Sequence, residues 1–222
     1  MSLDSSKPAA LHLAYGYWSR PFRNTPPCGD GAGLIRGESE SWLLVLDAIG
    51  HGPVAHRIAR MSLDFFQTFL TVQNAAPTSV EALVLHLHQK LVSRQLDEQA
   101  AMNIYRFDHK SAKLEAIAIG NLDSFLITPT KATVIANQNG MVGGRLPQRL
   151  HRQIFELEDN LVLTVLSDGI DMANSTRQLP KYVYGPFTNR PLKDTARLIV
   201  DGYHRDHDDA SCALIRISLD RP

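Results

Sequence analysis

The sequence predicts an α+β fold, a four-layer αββα sandwich of two antiparallel sheets flanked by helices. Two observations point there. The order of elements runs strands, two helices, a run of strands, then a helix and a strand, which alternating βα units do not produce. Two continuous apolar runs, Trp42-Leu43-Leu44-Val45-Leu46 and Leu161-Val162-Leu163-Thr164-Val165-Leu166, read as strands buried on both faces.

Taken in order, Leu11 to Trp18 alternates loosely as a strand, and Arg20 to Pro27 is a loop carrying proline and asparagine. A short strand at Gly33-Leu34-Ile35 turns at Gly-Glu-Ser-Glu into the buried strand that ends at Asp47. Gly52-Pro53 marks a helix start, because proline fits the first helical position without losing a needed donor. Ile58, Met61, Phe65 and Phe69 then form an apolar stripe. Thr78-Ser79-Val80-Glu81 fits a capping box for a second helix whose inner face is Val80, Leu83, Val84, Leu87 and Leu91. His86 and His88 fall off that stripe as solvated side chains. Strands follow at Asn103 to Phe107, Leu114 to Ile119, Ser124 to Ile127, Thr133 to Ala136, Arg152 to Leu157 and Leu161 to Leu166. Pro191 to Tyr203 reads as a helix with Leu192, Ala196 and Ile199 inward, and Ala213 to Ile217 as a closing strand.

At 222 residues the chain suits one domain, 1–222, with 1–8 as a flexible end. Lys plus Arg balances Asp plus Glu at 23 each, so there is no net electrostatic footprint for nucleic acid or an anionic membrane. No apolar stretch nears the roughly 20 residues of a membrane span, and no signal peptide is evident. Cys28 and Cys212 make no disulfide framework. A cytoplasmic protein is therefore expected, with both cysteines as small buried hydrophobes.

The chemistry lies in the acids. Each buried run stops at a carboxylate beside a small residue: Asp47-Ala48-Ile49-Gly50-His51-Gly52 and Ser167-Asp168-Gly169. A charge at such a mouth is costly unless a cation neutralises it. Asp30, in Cys28-Gly29-Asp30-Gly31, and Asp208-Asp209, before the last strand, complete the set. Carboxylate oxygens from distant segments suit hard divalent cations such as Mg²⁺ and Mn²⁺.

These motifs resemble the bacterial SpoIIE- and RsbX-type phosphatases, among the metal-dependent PPM protein serine/threonine phosphatases. Asp47 to Gly52 followed by Ala55 is similar to their DG-x-GHG-xx-A motif. Leu166-Ser167-Asp168-Gly169-Ile170 resembles the second aspartate motif, Asp208-Asp209-Ala210-Ser211 the terminal DD-A-T/S motif, and Gly29-Asp30 the early GD motif. The four occur in family order across nearly the whole chain. The small size is most similar to the RsbX branch.

The resemblance implies a phosphoserine/phosphothreonine protein phosphatase that uses two Mn²⁺ or Mg²⁺ ions and a water bridging them to attack phosphorus in line. By position, Asp47 would bridge both ions with the Ala48 carbonyl as a further ligand, and Asp168 and Asp208 would hold one. Asp30 would position a metal-bound water. His51 either donates to phosphate or to that water, or caps the following helix. The implied partners are phosphorylated STAS-domain stressosome proteins or anti-sigma antagonists, with no nucleic acid and no membrane.

Three departures from the pattern stand out. Ala48 replaces the usual glycine, which would cost about 1 kcal/mol or more if the site needs a positive φ. Gly120-Asn121 stands where eukaryotic members often have Gly-Asp, with Asp123 two residues on. No N-terminal arginine is securely placed for phosphate, with Arg20 and Arg23 as candidates. Gly143-Gly144-Arg145-Leu146-Pro147 is a surface loop or shapes substrate access, and Tyr182 to Phe187 is a candidate flap. Two other readings remain. One is a catalytically weak phosphatase-fold module that sequesters a phosphorylated STAS-type partner. The other is a zinc-like site at His204-x-x-His207-Asp208.

Overall fold

The run Trp42–Leu46 is buried on both sides, every side chain at most 3% exposed. Strand alternation sends Trp42, Leu44 and Leu46 into a core shared with helices, and Leu43 and Val45 into a core between sheets. The computed structural model describes residues 10–72, 79–93, 98–171, 177–186 and 188–220. Among them, ten strands make two five-stranded sheets with antiparallel pairing throughout.

One sheet runs β2 (Asp30–Arg36), β3 (Glu40–Ala48), β4 (Ala100–Asp108), β5 (Lys113–Ile119), β8 (Gln153–Glu156). The other runs β1 (Ala10–Arg20), β10 (Ala210–Asp220), β9 (Leu161–Leu166), β6 (Asp123–Ile127), β7 (Ala132–Ile135). Between them lies a core of Leu43, Val45, Tyr105, Phe107, Leu163, Val165, Ala213 and Ile215, among others. Helices α1 (Gly52–Val72) and α2 (Val80–Val92) cover the first sheet, and α3 (Leu179–Tyr184) and α4 (Leu192–Tyr203) the second. The αββα sandwich expected from element order is what forms.

A buried polar tie holds the sheets in register. The Asn103 amide on β4 donates to the Leu122 carbonyl at 2.9 Å and to the Ser124 hydroxyl at 2.8 Å, and its own oxygen accepts from the Ile119 amide at 3.2 Å. Tyr105 meets the same Ser124 hydroxyl at 2.6 Å. A satisfied network of this kind specifies one arrangement, because any slip would leave buried polar groups unpaired.

Several local expectations need correction. On α1 the buried positions are Ala55, Ile58, Ala59, Ser62 and Phe66, while Met61, Phe65 and Phe69 pack only partly against the core. The small residues Ala55, Ala59 and Ser62 let α1 lie close to the sheet, so the bulkier Met61, Phe65 and Phe69 are only partly covered. The second helix is capped one residue later than expected: the Ser79 hydroxyl accepts from the Ala82 amide at 3.1 Å. Thr78 lies outside the described residues, and Glu81 pairs with Arg152 at 3.3 Å. His86 is exposed as expected, but the half-buried His88 accepts from the Gly143 amide at 3.1 Å through Nδ1.

The glycine-rich loop is therefore no plain surface turn. Val142 pairs with Ala100, the strand partner of Ala48, and a Cβ at Gly143 would meet the Glu98 carbonyl at 2.0 Å. The flap expectation fails for Tyr182 to Tyr184, which belong to α3. Tyr184 donates to the Ile127 and Asn160 carbonyls, at the ends of β6 and β9 remote from Asp123 and Asp168. Phe187 lies outside the described residues.

Candidate active site

Strand pairing alone brings the first two acids together. Asp30 opens β2, Asp47 nearly closes β3, and the antiparallel register sets them directly opposite one another. Such pairs have Cβ atoms about 4.5–5.5 Å apart, close enough for like charges to repel. From the other sheet come Asp168, two residues beyond the end of β9, and Asp208, two before β10. The four belong to one electrostatic cluster. Burial pushes the Asp47 carboxyl well above the usual carboxylate range, and the charges of Asp30, Asp168 and Asp208 push it further. Burial likewise raises Asp30 and Asp208, and it raises Asp123 with help from Asp168.

The cluster has unmet bonding capacity. Asp30 is 7% exposed, and Ser167, Ser211 and Asp47 lie near enough to ease its ionisation. No hydrogen bond of good geometry reaches either of its carboxylate oxygens, nor Oδ1 of Asp168. Buried acceptors without partners are rare in folded proteins and call for an explanation. Among the described residues, no group of three His, Cys, Asp or Glu side chains is already drawn in as a ready-made metal cage. The carboxylates instead form a mutually repelling set of hard oxygen donors, the chemistry a divalent cation would satisfy.

Asn121 and Asp209 have roles that sequence reasoning missed. The Asn121 amide donates to Oδ2 of Asp168 at 2.5 Å, steadying that carboxylate from the side. Asp209, 2% exposed, accepts from the Phe22 amide through Oδ1 and from the Gly29 amide through Oδ2, both at 2.6 Å. One side chain thus closes both ends of the 22–29 loop that delivers Asp30. The Asp-Asp doublet was the available signal, though nothing in it told which carboxylate faces the cluster and which faces the loop.

Ala48 is buried, ends β3 in extended conformation and is not among the residues with positive φ, so the alanine carries no strain. The positive φ values fall instead on Gly50, at +83°, and Gly52, at +76°. Those two glycines swing the chain around His51 into α1. His51 is exposed, and its ring packs on Phe22 with centroids 4.6 Å apart. Arg20 and Arg23 line a depression with Arg205, His204 and Asp208. Arg20 lies 3.4 Å from Nδ1 of His204, and a guanidinium beside that ring nitrogen speaks against the zinc-like reading. Cys212 is buried and Cys28 half-buried, both thiols raised by burial.

The sequence matches the family model of Stage II sporulation protein E (SpoIIE) over residues 37–218. The chain belongs to the SpoIIE family. No curated protein matches it by sequence. Its fold is that of solved PP2C-type structures. The PP2C phosphatase domain of SpoIIE from Bacillus subtilis superposes with a TM-score of 0.80 at 15% identity, covering 96% of this chain and 65% of that one. RsbX in complex with magnesium superposes at 0.73 and 14% identity, covering 95% and 100%. A bacterial stressosome protein superposes at 0.78 and 22% identity, covering 92% and 100%. This SpoIIE-family chain therefore has the fold of PP2C-type phosphatase domains. No helix among the described residues is long and apolar enough to cross a membrane.

Proposed function

We propose that the protein is a Mn²⁺- or Mg²⁺-dependent phosphoserine/phosphothreonine protein phosphatase that resets a stressosome or partner-switching module. The observation that carries this is the set of buried carboxylate oxygens without hydrogen-bond partners, on Asp30 and Asp168, where two sheets meet. In this reading Asp47, the Ala48 carbonyl, Asp168 and Asp208 hold the ions, and Asn121 keeps Asp168 oriented. When bound, two such ions supply activation of water and neutralisation of charge on the phosphoryl oxygens. Asp30 would orient the attacking water in line with the leaving oxygen and accept its proton. As the P–O bond to the serine or threonine oxygen breaks, a proton would return to that oxygen, leaving the alcohol and inorganic phosphate. His51, on the exposed rim, donates to the phosphoryl group. No covalent phosphoenzyme is required.

The partner assignment draws support from solved relatives: one is a stressosome protein, another the RsbU and RsbW domains of Rv1364c from Mycobacterium tuberculosis. A phosphorylated STAS-domain protein is the substrate in this reading, in the cytoplasm. The sequestering-module alternative is not favoured, since all four acids are in place and Ala48 is unstrained.

The test is phosphate release from a phosphoserine peptide and from p-nitrophenyl phosphate, with chelated protein, Mn²⁺ and Mg²⁺. Metal-dependent turnover supports the proposal. A folded, metal-loaded protein that releases no phosphate from peptides or from phosphorylated STAS proteins, yet retains the latter in a pull-down, would replace it with the sequestering module.

A further inference from the structure

Beside the acidic cluster, Phe22, Arg23, Thr25, Pro26, His51, Gly52 and Pro53 enclose a pocket of about 290 Å³. That is at the lower edge of the roughly 300–1,000 Å³ typical of small-molecule sites, and it suits one bulky side chain better than a whole ligand. Its walls are largely apolar, and exposed apolar surface continues beside it at Ile49, 53% exposed, and Val54, 57% exposed. The walls are also held in place. The Phe22 amide is fixed on Asp209, its ring lies against His51, and the Arg23 guanidinium sits 4.9 Å from the ring centroid. A wall ordered before binding loses little freedom when a ligand arrives. Both sides of the pocket lead to the acids: His51 and Gly52 follow Asp47 on one side, and the 22–29 loop runs into Asp30 on the other.

We infer that this pocket is a specificity subsite that seats an apolar side chain of the phosphoprotein substrate, a few residues from the phosphorylated one. The inference rests on the phosphatase reading for what occupies the acidic cluster. An anchor buried in a preformed pocket dominates recognition, while its neighbours contribute little.

The experiment measures binding by fluorescence anisotropy in Mn²⁺. The probes are peptides with a non-hydrolysable phosphonate in place of phosphoserine, leucine being placed in turn at each flanking position of an alanine background. Turnover of p-nitrophenyl phosphate is read in parallel. One position is expected to favour leucine by roughly tenfold or more. That preference should fall toward unity both in Phe22→Ala, which removes a wall, and in Thr25→Trp, which fills the space. A flat scan, or a preference that survives both substitutions, would overturn the assignment. A leucine preference lost in both variants, with no phosphate released from p-nitrophenyl phosphate, phosphoserine peptide or phosphorylated STAS protein, would support the pocket and sink the phosphatase reading.

Discussion

Asp30 and Asp47 are direct cross-strand partners at the open end of the β2–β3 ladder. Sheets disfavour two acids in that relationship, because carboxylates facing each other at strand-pair distance repel. Here burial compounds the repulsion, and a third and fourth carboxylate approach from the opposite sheet. The fold concentrates negative charge at one place, and several predictions rest on that concentration.

Charge crowding makes the metal-free protein pH-sensitive in a definite direction. Asp30 and Asp47 are raised by burial above their ordinary value of 3.8, so the folded chain keeps protons that the unfolded chain has released. Stability is therefore highest, as far as these groups decide it, below about pH 4, and falls as the pH climbs toward neutrality. Divalent metal reverses the trend, since its ligands must be deprotonated. Urea midpoints at pH 5 and pH 7.5, with chelator and with Mn²⁺, should show metal stabilising more at the higher pH. Asp47→Asn should be at least as stable as wild type in chelator, and should lose the Mn²⁺ effect.

The Asp209 clasp should matter even without metal. Replacing it by Ala removes two charge-assisted bonds to backbone amides, and the buried Gly29 amide loses its acceptor. A loss of about 2–4 kcal/mol in metal-free stability is expected, at roughly 1.5–3 kcal/mol for a bond to a charged group with some relief by water. Asp209→Asn, which keeps one acceptor oxygen, should lose less. Equilibrium denaturation of both variants in chelator decides it.

Gly169 follows Asp168 where β9 ends, and a Cβ there would lie 1.9 Å from the Asp209 carbonyl oxygen. The backbones of the two aspartate motifs touch only because that side chain is missing. Gly169→Ala should cost about 1–3 kcal/mol as an overpacking change and should weaken Mn²⁺ affinity by displacing Asp168 from Asp208. Thermal melts together with Mn²⁺ titration provide the check.

Ala48→Gly should bring no gain. The position is extended and buried, so glycine adds backbone freedom to the unfolded chain and removes a packed methyl, at a cost of roughly 1 kcal/mol or more. Phosphate release with Mn²⁺ should be unchanged or lower in this variant. A large increase would show that the alanine holds its carbonyl away from where the reaction needs it.

Much of this was legible in the residues themselves. Runs buried on both faces leave little freedom in strand assignment, and β9 falls on Leu161–Leu166 as expected. Asp30, Asp47, Asp168 and Asp208 stood out because a charge at the end of such a run needs a physical reason. Tertiary contacts hid the rest. Asn121 gains its role only because the turn after β5 lies against the end of β9, and Asp209 only because β10 begins beside the loop of Phe22 and Gly29. The short α3 helix carries too few residues to display a helical period, so sequence alone leaves Tyr182 to Phe187 open as a candidate flap. The Ser79 cap was missed because two hydroxyl residues stand side by side, and sequence pattern alone favoured the one with glutamate three residues on.

The most direct test of the central claim, that the two strand mouths make one divalent metal centre, is calorimetric titration of chelator-treated protein with Mn²⁺ at neutral pH. Two ions per chain are predicted, with both lost in Asp47→Asn and binding weakened at least tenfold in Asp168→Asn. No Mn²⁺ or Mg²⁺ binding by folded wild-type protein, or binding indifferent to both substitutions, would contradict it.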